Sequence, residues 1–165
     1  MLGDDQQFGF GQQATEEEIA GWDIDVKPDG SGLPPGSGSV EDGKRLFQEH
    51  GAAWHGPEGE GTDYAPRLVG GIGSLDTDTP VKTVGSYWPY ATSVFSYIRR
   101  AMPASGPQTL TNDEYYALTA WVLWANGIIG EDEVMDQDTL PKVVMPNQGG
   151  FTSPDPRPDT NNTAD

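Results

Sequence analysis

Residues 49–56 read EHGAAWHG, and His55 within them is one of only two histidines in the chain. It sits where the character of the sequence changes. Upstream, SVEDGKRLFQEH (residues 39–50) opens on Ser39 with Asp42 three positions on, a capping-box spacing that uses Asp where Glu or Gln is usual. Val40, Gly43 and Phe47 fall on one face, so a first helix is predicted to run toward His55. Gly51 lies within or at the end of that helix and costs it about 1 kcal/mol relative to Ala. Downstream, from Gly56 to about Pro80, glycine and proline are too frequent for regular structure, and a loop is expected.

Two further helices follow. PYATSVFSYIRR (residues 89–100) places Tyr90, Val94, Phe95 and Ile98 in an apolar stripe and stops at AMPASGP, where Pro103 and Pro107 discourage continuation. LTNDEYYALTAWVLWANG (residues 110–127) has the clearest helical signature, with Thr111 and Glu114 as a capping box and Gly127 placed just past its end. Near the N-terminus, ATEEEIAGWDI predicts a short helix capped at Thr15 with Ile19 and Trp22 on one face. The following KPDGSGLPPGSGS is a linker without period. After Gly130 the chain turns acidic and then proline-rich, so GEDEVMDQD reads as a solvated segment and the end as an extended tail. The expected organisation is an all-α domain at 39–127, long in loops. It is flanked by an acidic arm and linker at 1–38 and an extended C-terminal arm at 128–165.

Composition limits what such a domain can do. Leu, Ile, Val and Phe make up 30 of 165 residues and the net charge is −17, a pair of values that leans toward disorder. The aromatics correct this, because ten of the eleven Trp and Tyr residues lie between Trp54 and Trp124. The acidic balance excludes nucleic acid and anionic membranes as partners and suits a basic partner or a saline solvent. No apolar run reaches the length of a membrane span, and MLGDDQQFGF has neither the basic head nor the apolar stretch of a signal peptide. There is no P-loop, dinucleotide fingerprint or Ser/His/Asp grouping. DIDVKPDGSG approaches a calcium loop but lacks the acid at its twelfth position. Nothing points to an enzyme.

The order of elements resembles a class I cytochrome c: a helix ending in histidine, a PRLVG loop, a helix leading to Met-Pro, and a last helix carrying Ala-Trp. In that family a C-x-x-C-H motif attaches haem through two thioethers, and histidine and methionine bind its iron. The resemblance implies His55 as proximal ligand, Met102 as distal ligand, and the Pro66 carbonyl as the group that orients the histidine. Longer strings, KTVGSYWPYATSVFSYIRRAMP, LTNDEYYALTAWVLWANGIIGEDEVM and MPNQGGF, are similar to the cytochrome c subunits of sulfite and sulfane-sulfur dehydrogenases. So is the arm from Gly9 to Val40, and the likeness spans roughly residues 8–158. It implies a periplasmic or otherwise exported protein, a molybdenum-containing catalytic subunit as partner, and a downstream electron acceptor.

The departure falls on the motif. Gly51 and Trp54 stand at the two cysteine positions and the chain has no cysteine, so covalent haem attachment is excluded. Tyr64, Leu68, Tyr87 and Trp88 would line or rim the pocket by the same likeness, while Gly43, Phe47 and Trp121 would form the crossing of first and last helices. Two outcomes are open. Haem is held by His55, Met102 and packing alone, or the module is a haem-free scaffold kept for its interface. In the second case Trp54 is expected to plug the pocket, since burying an indole contributes about 2–3 kcal/mol. His50 reads as a surface residue, Arg99 and Arg100 as solvated charge, and Met135 and Met145 fall in the tail without a role.

Overall fold

Gly43 sets the approach of the two helices that build the core. In a computed structural model that describes residues 11–152, a Cβ at Gly43 would overlap the carbonyl of Ala117. Helix α2 (Val40–His50) therefore crosses α6 (Asn112–Ala125) at backbone contact. One turn on, Phe47 stacks on Trp121 with ring centroids 3.7 Å apart at 19°. Gly38 repeats the arrangement, because a Cβ there would also run into Ala117.

The helices begin where their caps place them. Thr111 and Glu114 form a complete capping box for α6. At α2 the box is altered: Ser39 Oγ accepts from Asp42 N–H (3.1 Å) but donates to the Asp42 carboxylate (2.7 Å). Asp is one methylene short of the reach by which Glu takes the cap N–H. These bonds, Ser39's first and then Arg45's, hold the Asp42 carboxyl below the usual carboxylate range. Helix α5 (Ala91–Ala101) buries Val94 and Phe95 and ends at Met102. Nine consecutive residues of α6, Tyr115 to Leu123, are buried, so it has neighbours on every side and forms the centre of the core. Short helices α1 (Glu16–Trp22), α3 (Ala52–His55) and α4 (Val84–Tyr87) complete an all-α fold with long loops.

The chain after residue 127 departs from the expected extended arm. Strand β1 (Ser37–Ser39) pairs antiparallel with β2 (Val134–Asp136), Gly38 opposite Met135. Met135, Leu140 and Met145 are at most 2% exposed, in the core. The acids around Met135 hide a period-2 pattern: its neighbours face solvent while Met135 faces inward. With so few Leu, Ile, Val and Phe inside the helical unit, the core takes in apolar side chains from beyond it.

The N-terminal linker is tied down although it has no regular structure. Tyr116 Oη donates to Pro34 O (2.8 Å), Asn112 Nδ2 to Pro35 O (3.1 Å), and Ser37 N–H to the Asp113 carboxylate (2.8 Å). Burial, then the nearby Asp136 charge, push the Tyr116 phenol up to about 12. Arg100, read from sequence as solvated, pairs with Asp25.

Gly43→Ala is expected to lower stability by about 2 kcal/mol in thermal unfolding followed by circular dichroism. The overlap at Ala117 costs more than the roughly 1 kcal/mol a helical Ala gains over Gly. An unchanged or higher Tm would show that the helices can part without loss.

Candidate functional site

The site is built on the end of α2. The Gly51 N–H donates to Phe47 O (2.7 Å), and α3 follows at once. Gly56, at φ 83°, turns the chain out of α3, in backbone space that suits glycine. The loop then folds back: Gly61 N–H donates to His55 O (2.6 Å), and Leu68 N–H to Gly59 O (2.8 Å). This return brings the Pro66 carbonyl to 2.8 Å from His55 Nδ1. A carbonyl only accepts, so Nδ1 carries the proton, and in the neutral ring the lone pair then lies on Nε2.

Asn126 fastens that loop to the core. Its side chain is buried, accepts from Gly70 N–H (3.1 Å), and donates to Leu68 O (3.1 Å) and Val122 O (2.9 Å). Thr83 Oγ1 adds a bond to Gly70 O (2.5 Å). Asn126 was missed in the sequence. The only available signal was a polar residue at the end of an otherwise apolar helix.

Between α3, the returning loop, α4 and α5 lies a cavity of about 470 Å³. Gly51, Trp54, His55, Pro66, Leu68, Tyr87, Trp88 and Met102 all line it, as does Tyr64. Buried Phe47, Val94, Leu118 and Val122 contribute apolar wall. Met102 reaches it from the C-terminal cap of α5, where its N–H donates to Ile98 O (2.9 Å). His50, read from sequence as a surface residue, lines the cavity too, with its side chain 31% exposed. The MPNQGGF segment backs one wall: Asn147 Nδ2 donates to Tyr87 O (2.8 Å), and Phe151 meets the Tyr87 ring edge-on at 5.2 Å. Lys82 Nζ lies over that ring, 4.9 Å from its centroid.

Trp54 does not plug this space. It is 44% exposed and stands in the cavity wall, leaving the volume beside His55 open. At Gly51 the reverse holds, since a Cβ there would lie 2.5 Å from the Phe47 ring. The stacked Phe47 occupies the room a side chain at 51 would need.

The donor set can be tested against a haem. An imidazole with its Nδ1–H anchored and a thioether on the same apolar cavity are donor types that would suit a haem iron. Arg67 and Lys82, two of only nine basic residues, also line the cavity and suit a ligand bearing carboxylates. Thioether attachment does not fit. Among the described residues no group of three or more His, Cys, Asp or Glu is placed to hold a metal ion.

The all-α fold brings a carbonyl-anchored histidine from α3 and a methionine from the end of α5 to one apolar cavity, an arrangement that suits an electron-transfer protein. Residues 40–126 match the cytochrome c family model, and the chain belongs to the cytochrome c family. A chain in the crystal structure of the sulfane dehydrogenase SoxCD from Paracoccus pantotrophus is 47% identical, with a TM-score of 0.85. That similarity covers 94% of this chain and 76% of the other. No curated protein matches the chain.

Two substitutions probe the site. Trp54→Ala should change stability by less than about 1 kcal/mol in denaturant unfolding, whereas a buried plug would cost 3–5. Asn126→Ala should cost about 2 kcal/mol by orphaning the Gly70 N–H and Leu68 carbonyl. Faster amide hydrogen exchange at Gly70 would accompany it, and unaltered exchange there would mean the loop is held by other bonds.

Proposed function

We propose that the chain is the electron-transfer subunit of a sulfite or sulfane-sulfur dehydrogenase, holding haem without covalent attachment through His55 and Met102. The observation that carries this reading is the bond from His55 Nδ1 to Pro66 O at 2.8 Å, which leaves Nε2 as a ligand in a cavity that Met102 also lines. In this reading the haem-binding domain spans 39–127, flanked by arms at 1–38 and 128–165, with residues 134–145 laid back over its core. The protein is exported and takes electrons singly from a molybdenum-containing catalytic subunit for a downstream acceptor. The likeness to a chain of SoxCD supports the partner. No helix among the described residues is long and apolar enough to cross a membrane.

When bound, haem supplies the one-electron chemistry. The chain's residues do the rest. His55 is fixed in tautomer and direction by Pro66, which raises its basicity toward a metal. Met102 offers a soft sulfur ligand. Phe47, Val94, Leu118 and Val122 keep water from the inner wall, and Arg67 and Lys82 supply cations. The scaffold reading draws on Gly51, where Phe47 has taken the room of a side chain, but the open cavity beside Trp54 weighs against a closed pocket.

Titration with hemin is the test. A Soret band saturating at one equivalent, with sharp α and β bands on reduction, is the expected result, and all of the haem should leave with acidified acetone. His55→Ala should weaken binding at least tenfold, about 1.4 kcal/mol. Met102→Ala should retain haem but lose the low-spin spectrum and lower the potential. Free-hemin behaviour at every ratio, from a folded protein, would leave only the scaffold.

A further inference from the structure

Helix α1 is well formed yet buries none of its residues among the described part of the chain. Trp22 is 87% exposed and Ile19 51%. Three residues apart, these two share a face. The helix is nevertheless capped: Thr15 Oγ1 accepts from Glu18 N–H (3.2 Å), and the Glu18 carboxylate accepts from Thr15 N–H (2.8 Å). A helix of seven residues is too short to offset its nucleation cost in water, and capping recovers only part of that cost. In proteins the balance comes from an apolar face packed on a neighbour, and this domain provides none for α1.

The segment that carries α1 is held in place. Asp25 pairs with Arg100, Val26 and Leu33 pack against the core, and Pro34 accepts from buried Tyr116. The fold thus fixes the base of α1 while leaving its tryptophan in solvent. An exposed indole beside an isoleucine marks a surface that is covered in use.

Charge decides what covers it. Glu16, Glu17, Glu18, Asp23 and Asp25 surround the pair, with no basic residue before Lys27. A second copy would bring like charge against like, and an anionic lipid surface would be repelled in the same way. What remains is a protein surface with an apolar slot rimmed by Lys and Arg.

We infer that Ile19 and Trp22 of α1 anchor the chain in a basic-rimmed apolar slot on the catalytic subunit. This rests on the function proposed above. Trp22 fills the slot, Ile19 packs beside it, and the surrounding carboxylates speed encounter and set register.

Isothermal titration of the full chain against the purified molybdenum-containing dehydrogenase subunit from the same source tests it. Trp22→Ala should raise Kd at least thirtyfold and Trp22→Phe much less. Glu16→Gln with Glu17→Gln, which spares the Glu18 cap, should slow association and flatten its salt dependence. None of these variants should alter the hemin spectrum or the thermal unfolding of the domain, because α1 lines no part of the cavity and buries none of its residues. Trp22→Ala binding within twofold of the unaltered chain would overturn the inference and leave the function standing. Failure of the unaltered chain to bind the subunit would overturn the inference together with the proposed partnership, even if hemin binds. A chain that binds the subunit through Trp22 but ignores hemin would sink only the haem reading. Sedimentation showing a self-association that Trp22→Ala abolishes, or Trp22-dependent pelleting with anionic vesicles, would give the face to another occupant.

Discussion

The contact of α2 with α6 at Gly43 and Ala117 governs the rest of the molecule. Because no side chain separates the backbones there, Phe47 can lie flat on Trp121, and α2 ends one turn later in a fixed direction. That direction carries α3 and His55 to the cavity mouth. It also dictates the residue at 51: with Phe47 stacked, the space above the helix end is filled, and glycine is the residue that fits without displacement. The helix crossing and the glycine at 51 are therefore one packing problem.

What was legible in the sequence followed local rules. Ser39, Thr111 and Gly127 each mark a helix end through backbone groups within a few residues of themselves, and α2 and α6 lie where those marks put them, as α5 stops ahead of Pro103. The eight candidate site residues come to one cavity because a family's order of elements is also an order in space. Long-range features stayed hidden. Three-residue strands such as β1 and β2 carry no readable period, and Met135 sits among acids that mask its inward direction. Asn126 acts on a loop 56 residues away, and nothing near it in sequence reveals those partners. Trp54 was misjudged for the same kind of reason. Whether an indole fills a pocket or stands in its wall depends on the loop that Thr62 ties to its carbonyl, not on the indole's apolarity.

A chain without cysteine cannot rely on a thioether-held haem to complete its interior. A covalently attached haem is always present to complete an interior, but one held by ligands and packing is present only by mass action. It adds stability that grows with the free concentration relative to Kd, about 2.7 kcal/mol at a hundredfold excess. The chain must then reach a folded state on protein side chains alone. The burial pattern meets that demand: α6 is enclosed on all sides, and Met135, Leu140 and Met145 return from beyond the helical unit to join its core.

The same segments couple folding to the cavity. Strand β2 holds β1, β1 leads directly into Ser39 and α2, and Asn147 with Phe151 backs Tyr87 in the cavity wall. A chain of bonds thus runs from the late segment to both ends of the site, one through the helix that delivers His55 and one through the aromatic wall opposite the solvent-facing Lys82. The cost of such an arrangement is rigidity, since α2 cannot shift without disturbing β1 and Ala117. Its consequence is that the direction of the His55 ring and the volume beside it are set by protein contacts, so the cavity is formed before anything enters it.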